Sequence, residues 1–136
     1  MSIDTLNGVL GQPAHFAGDY LFRNAALPNN TTIHSEEHIL NNTLGKLLLV
    51  GTIDKNLSLT GTNALTIQLQ YKEGDDWKTL STLLSVSGVN TIPAGQIFST
   101  IPVPSNTKRI HRLQMTTNFN ASEISLTAAI EPLPLG

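Results

Sequence analysis

A chain of 136 residues with a formal net charge of −2 is the size of one domain and can bury roughly two-thirds of its unfolded surface in one core. Charged residues make up only 13% of it, about half the usual share, and the densest basic group is Lys108, Arg109 and Arg112, so a nucleic-acid backbone is not an expected partner. The absence of cysteine excludes disulfides and thiolate metal sites, and no apolar run reaches the roughly 18 residues that a membrane-spanning helix needs.

Thr, Asn and Ser stand where charge would otherwise be. Thr favours strands, Asn and Ser favour turns, and none of the three drives a helix, so composition already predicts an all-β chain. The N-terminus lacks a basic stretch followed by an apolar core, and synthesis in the cytosol is expected.

From Ser2 to Asn30, Gly8, Gly11, Pro13, Gly18 and Pro28 interrupt every possible period, yet Phe16, Tyr20 and Phe22 lie among them. Residues 1–30 therefore read as an irregular arm that packs on its own domain or on a neighbour, and residues 31–136 as the domain. Aromatic anchors on such a segment give a large contact area on ordering, which makes Phe16, Tyr20 and Phe22 interface candidates.

After the arm, Thr31 to Leu40 reads as a strand, Asn41-Asn42 as a turn, and Lys46 to Ile53 as an apolar strand covered on both faces. Leu65, Ile67, Leu69 and Tyr71 alternate with Thr66, Gln68, Gln70 and Lys72, the pattern of a strand with one buried and one wet side. Glu73-Gly74-Asp75-Asp76 is a hairpin turn and Trp77 to Thr82 the returning strand, followed by a turn-rich stretch from Ser85 to Gly95. Gln96 to Val103, closed by Pro102 and Pro104, suits a sheet edge. His111, Leu113 and Met115 share one face of Lys108 to Thr117, and Ile124, Leu126, Ala128 and Ile130 one face of the last strand. Some seven or eight strands without a long helix predict an antiparallel β-sandwich or jelly roll.

His34-Ser35-Glu36-Glu37-His38 matches the H-x-x-E-H pattern of inverted zinc peptidases, in which both histidines share one helix face. The Asn/Thr flanks favour a strand instead, where His34, Glu36 and His38 share a face and hold at most a weak metal site. Asp54-Lys55-Asn56-Leu57-Ser58 opens like a calcium loop but has glycine and glutamate at the wrong offsets, and reads as a turn. Neither a nucleophile-elbow pattern nor a phosphate-cradling glycine loop is present, so no catalytic residue and no cofactor is expected. Arg112 lies in a strand otherwise suited to the core, either as an outward, snorkelling residue or as an interface arginine.

Several segments, in order, resemble bacteriophage capsid cement, or decoration, proteins of the small jelly-roll type found in short-tailed phages. They are Gly45-Lys46-Leu47-Leu48-Leu49-Val50, Leu65-Thr66-Ile67-Gln68-Leu69-Gln70, Trp77-Lys78-Thr79-Leu80, Ile92-Pro93-Ala94-Gly95-Gln96, Lys108 to Gln114, and Ala121 to Ile130. Ile3-Asp4 before a polar leader is similar as well, whereas Gln12 to Asn30 carries more aromatics than the family leader. The resemblance implies a non-enzymatic jelly roll on the outer surface of the virion, often a homodimer or homotrimer, bridging subunits of the major capsid protein. A second expectation is a carbohydrate-binding jelly-roll module of a phage or bacterial adhesin, with Trp77, Tyr71 and Phe98 as candidate platform rings. A third is a metallohydrolase using His34, Glu37 and His38.

Overall fold

The computed structural model describes residues 19–39, 47–100 and 110–132. Eleven strands lie within them: β1 (Asp19–Ala26), β2 (Thr32–His34), β3 (His38–Ile39), β4 (Leu47–Ile53), β5 (Leu57–Leu59), β6 (Ala64–Glu73), β7 (Asp76–Ser87), β8 (Asn90–Ile92), β9 (Ile97–Thr100), β10 (Ile110–Thr117) and β11 (Ser125–Pro132). Among the described residues no helix forms, as the composition predicts.

The pairing follows one rule. β6 pairs with β7, β5 with β8, β4 with β9, β2 and β3 with β10, and β1 with β11, all antiparallel. The chain is thus a single long hairpin whose tip is the β6–β7 turn. Rolling that hairpin sets β10 beside β6 and β11 beside β4, giving a four-stranded sheet β1-β11-β4-β9 and a five-stranded sheet β2-β10-β6-β7, with β3 also on β10. This is a jelly roll, the expected fold class. The tip is a two-residue loop in which Gly74 takes a φ of 64°, a left-handed conformation that glycine adopts without Cβ strain.

Both sheets turn their apolar residues inward. Leu65, Ile67 and Leu69 of β6 and Leu113 and Met115 of β10 face Leu49, Ile53, Leu126 and Ala128 of the other sheet in one core, to which the β5–β8 ribbon adds Leu57, Leu59 and Ile92. β4 is covered on both sides as its sequence predicts, since Val50 packs with Ala129 outside the main core. β9 lies at a sheet edge, also as predicted. Pro102 and Pro104 lie outside the described residues.

Three expectations are corrected. β7 runs on to Ser87 through the stretch read as turns, carrying two register shifts against β6, between Ile67 and Gln68 and between Leu69 and Gln70. Each shift is a bulge that leaves an extra β7 residue unopposed, Leu83 and Leu80 respectively, so local polarity no longer reports the strand. Leu83 is buried above Gly51, where a Cβ would come within 3.0 Å of its Cδ2. Second, the strand expected over Thr31 to Leu40 is two short ones, β2 and β3.

Third, the arm expected to end at residue 30 already contains β1, which pairs along β11 and sends Leu21 and Phe22 into the core. A register shift between Tyr20 and Phe22 lets two consecutive residues face inward, and Asn24, at a φ of 51°, sits in the next shift with its backbone N–H on Thr127 Oγ1. Beyond β1, Leu27 N donates to Ile124 O, Asn30 N to Phe119 O, and the buried Thr117 hydroxyl donates to Pro28 O. Irregular sequence here means bulges and side-chain bonds, and residues 19–30 are integral to the fold.

Candidate functional site

The outward face of the five-stranded sheet is built by the polar half of the β6 and β10 alternation. Antiparallel register aligns Thr32, Thr116, Thr66 and Ser85 in one row and His34, Gln114, Gln68 and Thr82 in the next. Arg112 and Gln70 begin a third row with Thr79, and Lys72 opposes Trp77 beyond it. Directly opposed side chains on one sheet face are close enough to bond, and here they do. The Thr32 and Thr116 hydroxyls are 2.8 Å apart, His34 Nε2 lies 2.9 Å from Gln114 Oε1, and Arg112 Nε donates to Gln70 Oε1 at 2.8 Å.

At one end of this face the Arg112 guanidinium lies over the ring of the half-buried Trp77, 4.1 Å from its centroid, and Lys72 Nζ lies 5.9 Å from the same centroid. Stacking on the indole and the bond from Nε hold the guanidinium plane from two directions. Burial lowers the Arg112 pKa and the Glu37 carboxylate works against that shift, but arginine keeps its charge in any ordinary buffer. Arg112 is therefore a half-buried, outward residue of the wet face.

The structure separates the other candidates. Phe22, an expected interface residue, is only 8% exposed and packs in the domain's own core. Tyr20 is half-buried on the outer side of the four-stranded sheet, where it packs near Val50 and Ala129 and carries the Arg23 guanidinium 4.1 Å from its ring centroid. It faces away from Arg112, on the opposite side of the sandwich, so the two cannot serve one contact. Phe16 lies outside the described residues. Of the three platform rings, Phe98 is buried and Tyr71 aligns with the inward His111, leaving Trp77 alone on the wet face.

The expected shared face of His34, Glu36 and His38 is overturned. His34 aligns with Gln114 and His38 with His111, so Ser35, Glu36 and Glu37, three residues, oppose only Arg112 and Leu113, two residues. One extra residue inverts the alternation, placing His34 with the outward Gln114 and His38 with the inward His111. Ser35 anchors the break: its N–H donates to Leu113 O and its hydroxyl accepts from Leu113 N–H, both at 2.8 Å. Among the described residues no group of three or more His, Asp or Glu side chains is placed to hold a metal. The Asp54 turn holds backbone: Asp54 Oδ1 accepts from Ser125 N and Asn56 Oδ1 from Ala94 N, each at 2.8 Å. The Trp77–Arg112–Gln70 cluster was not recognised as a unit in the sequence, although Trp77 and Lys72 flank a predicted hairpin and their opposition follows from it.

No protein-family model and no curated protein matches this chain. Among solved structures it is similar to the N-terminal CBM22-1 and GH10 modules of Clostridium thermocellum endo-1,4-beta-D-xylanase 10B, complexed with xylohexaose, at a TM-score of 0.42 and 10% identity. That match covers 87% of this chain and 29% of the other, so the chain spans under a third of the solved xylanase chain. It is also similar to a pentameric capsid protein isolated from metagenomic phage sequences, at a TM-score of 0.37 and 18% identity over 97% of this chain and 74% of that one. A further structure of a pentameric capsid protein from such sequences gives 0.34 and 18%, over 97% and 76%.

Proposed function

We propose that this chain is a non-enzymatic structural protein of a phage particle, a decoration protein that binds the outside of the head as a dimer or trimer and bridges major capsid subunits. The observation that carries the reading is the outward face of the five-stranded sheet. It is broad, largely uncharged and held in place by cross-strand bonds, with a fixed cation at one end. Such a surface is prepared for adhesion, because little side-chain entropy remains to be lost on contact. The ordered likeness of its segments to decoration proteins supports the same reading, and many copies on a symmetric shell need only modest affinity each. Purified protein mixed with assembled, expanded shells should co-sediment with them at saturable stoichiometry; protein that stays in the supernatant at all concentrations overturns the proposal.

Glycan binding remains a second reading, because Trp77 shares the outward face with the amides of Gln68, Gln70 and Gln114. It requires glycan-array signals that Trp77→Ala abolishes while shell binding is unchanged.

A further inference from the structure

We infer that Arg112 is the centre of a carboxylate-binding site, and that its occupant is an acidic side chain on the protein surface to which this chain adheres. The inference deepens the reading above and rests on it for the source of the carboxylate.

A guanidinium offers five N–H donors. In Arg112 only Nε is used, on Gln70 Oε1, and among the described residues its two terminal nitrogens make no hydrogen bond and have no carboxylate within 4.0 Å. Those nitrogens form the fork that takes a carboxylate bidentately. An ordinary surface arginine must immobilise a long side chain to use that fork. Here Trp77 beneath the plane and Gln70 at Nε have already done so. Lys72, with Nζ 5.9 Å from the same ring centroid, adds a second positive charge.

The surroundings select among anions. Glu37 is near enough to stabilise the Arg112 charge without pairing with it, so it repels a dianion more than a single carboxylate. The chain's net charge of −2 likewise disfavours a polyanion. An acidic protein side chain is the monoanion that a protein shell presents.

The chain's only tryptophan is the ring under Arg112, so its fluorescence reports the site directly. The intact protein is titrated with a capped peptide bearing two glutamates. Its glutamine counterpart, glucuronic acid and inorganic phosphate serve as comparisons. The acidic peptide should produce a saturable change in Trp77 emission at millimolar concentration, and the glutamine peptide none. Arg112→Lys keeps the charge but removes the fork, and should weaken binding about tenfold or more, the scale of a lost charge-assisted bond. Glu37→Gln, an exposed position where folding is not at stake, should tighten it about twofold or more. Equal response to the glutamine peptide, an unchanged affinity in both variants, or tighter binding of phosphate or glucuronate than of the acidic peptide overturns the site. Because the peptide assay involves no shell, failure here with shell binding intact removes only the carboxylate site, and success here without shell binding removes only the structural role.

Discussion

At the scale of single residues, Thr52 stands out. Its hydroxyl is buried on the outer side of β4, beside Val50, and Oγ1 has no hydrogen-bond partner. A buried hydroxyl without a partner costs about 1–3 kcal/mol. Val keeps the branched shape that suits a strand and removes the orphan atom, so Thr52→Val should raise the thermal midpoint by roughly 3–5 °C for each 1 kcal/mol regained. A lower midpoint in a calorimetric scan would mean that the hydroxyl is satisfied in solution. The sequence placed Thr52 in a strand but could not announce its burial, because β4 is covered on both sides and a polar residue there looks like the wet half of an alternation. Arg112 was legible as an interface candidate. Its stacking on Trp77 was not, since the two come together only when the rolled hairpin sets β10 beside β6.

At the scale of elements, regular strands were readable and irregular ones were not. β6, β10 and β11 announce themselves because strict alternation maps directly onto buried and wet faces. β1, β7 and the β2–β3 break each contain a register shift or an unopposed residue, and one extra residue is enough to scramble a period-2 signal. The misreading of β1 has the largest consequence. Removing residues 1–30 would take an edge strand and the buried Leu21, Phe22 and Leu27 from the core. At about 1.5–3 kcal/mol for each large side chain, the loss is comparable to the whole stability of a domain this size. The truncated chain should therefore lose its cooperative melting transition and its near-ultraviolet circular dichroism. Retention of both would mean that residues 1–30 are not needed for the core.

At the scale of the whole molecule, composition and turn spacing reached the all-β class and the jelly roll, because a charge-poor chain of short strands has few other ways to bury its apolar faces. The order of pairing was beyond them: nothing local tells β1 that its partner lies a hundred residues away in β11. That pairing sets the first and last strands among the described residues side by side, with Asp19 directly opposite Ile130. In a chain trimmed to residues 19–132, a short turn from residue 132 to residue 19 would close the loop, and the existing tip at Gly74 and Asp75 could be cut to make new ends. Such a circular permutant should fold to the same sandwich, with its new ends at the hairpin tip, one residue pair from Lys72 and Trp77. Cargo fused at those new ends would stand beside the Trp77 and Arg112 end of the outward face, so a fusion there reads out directly whether that end of the face is used.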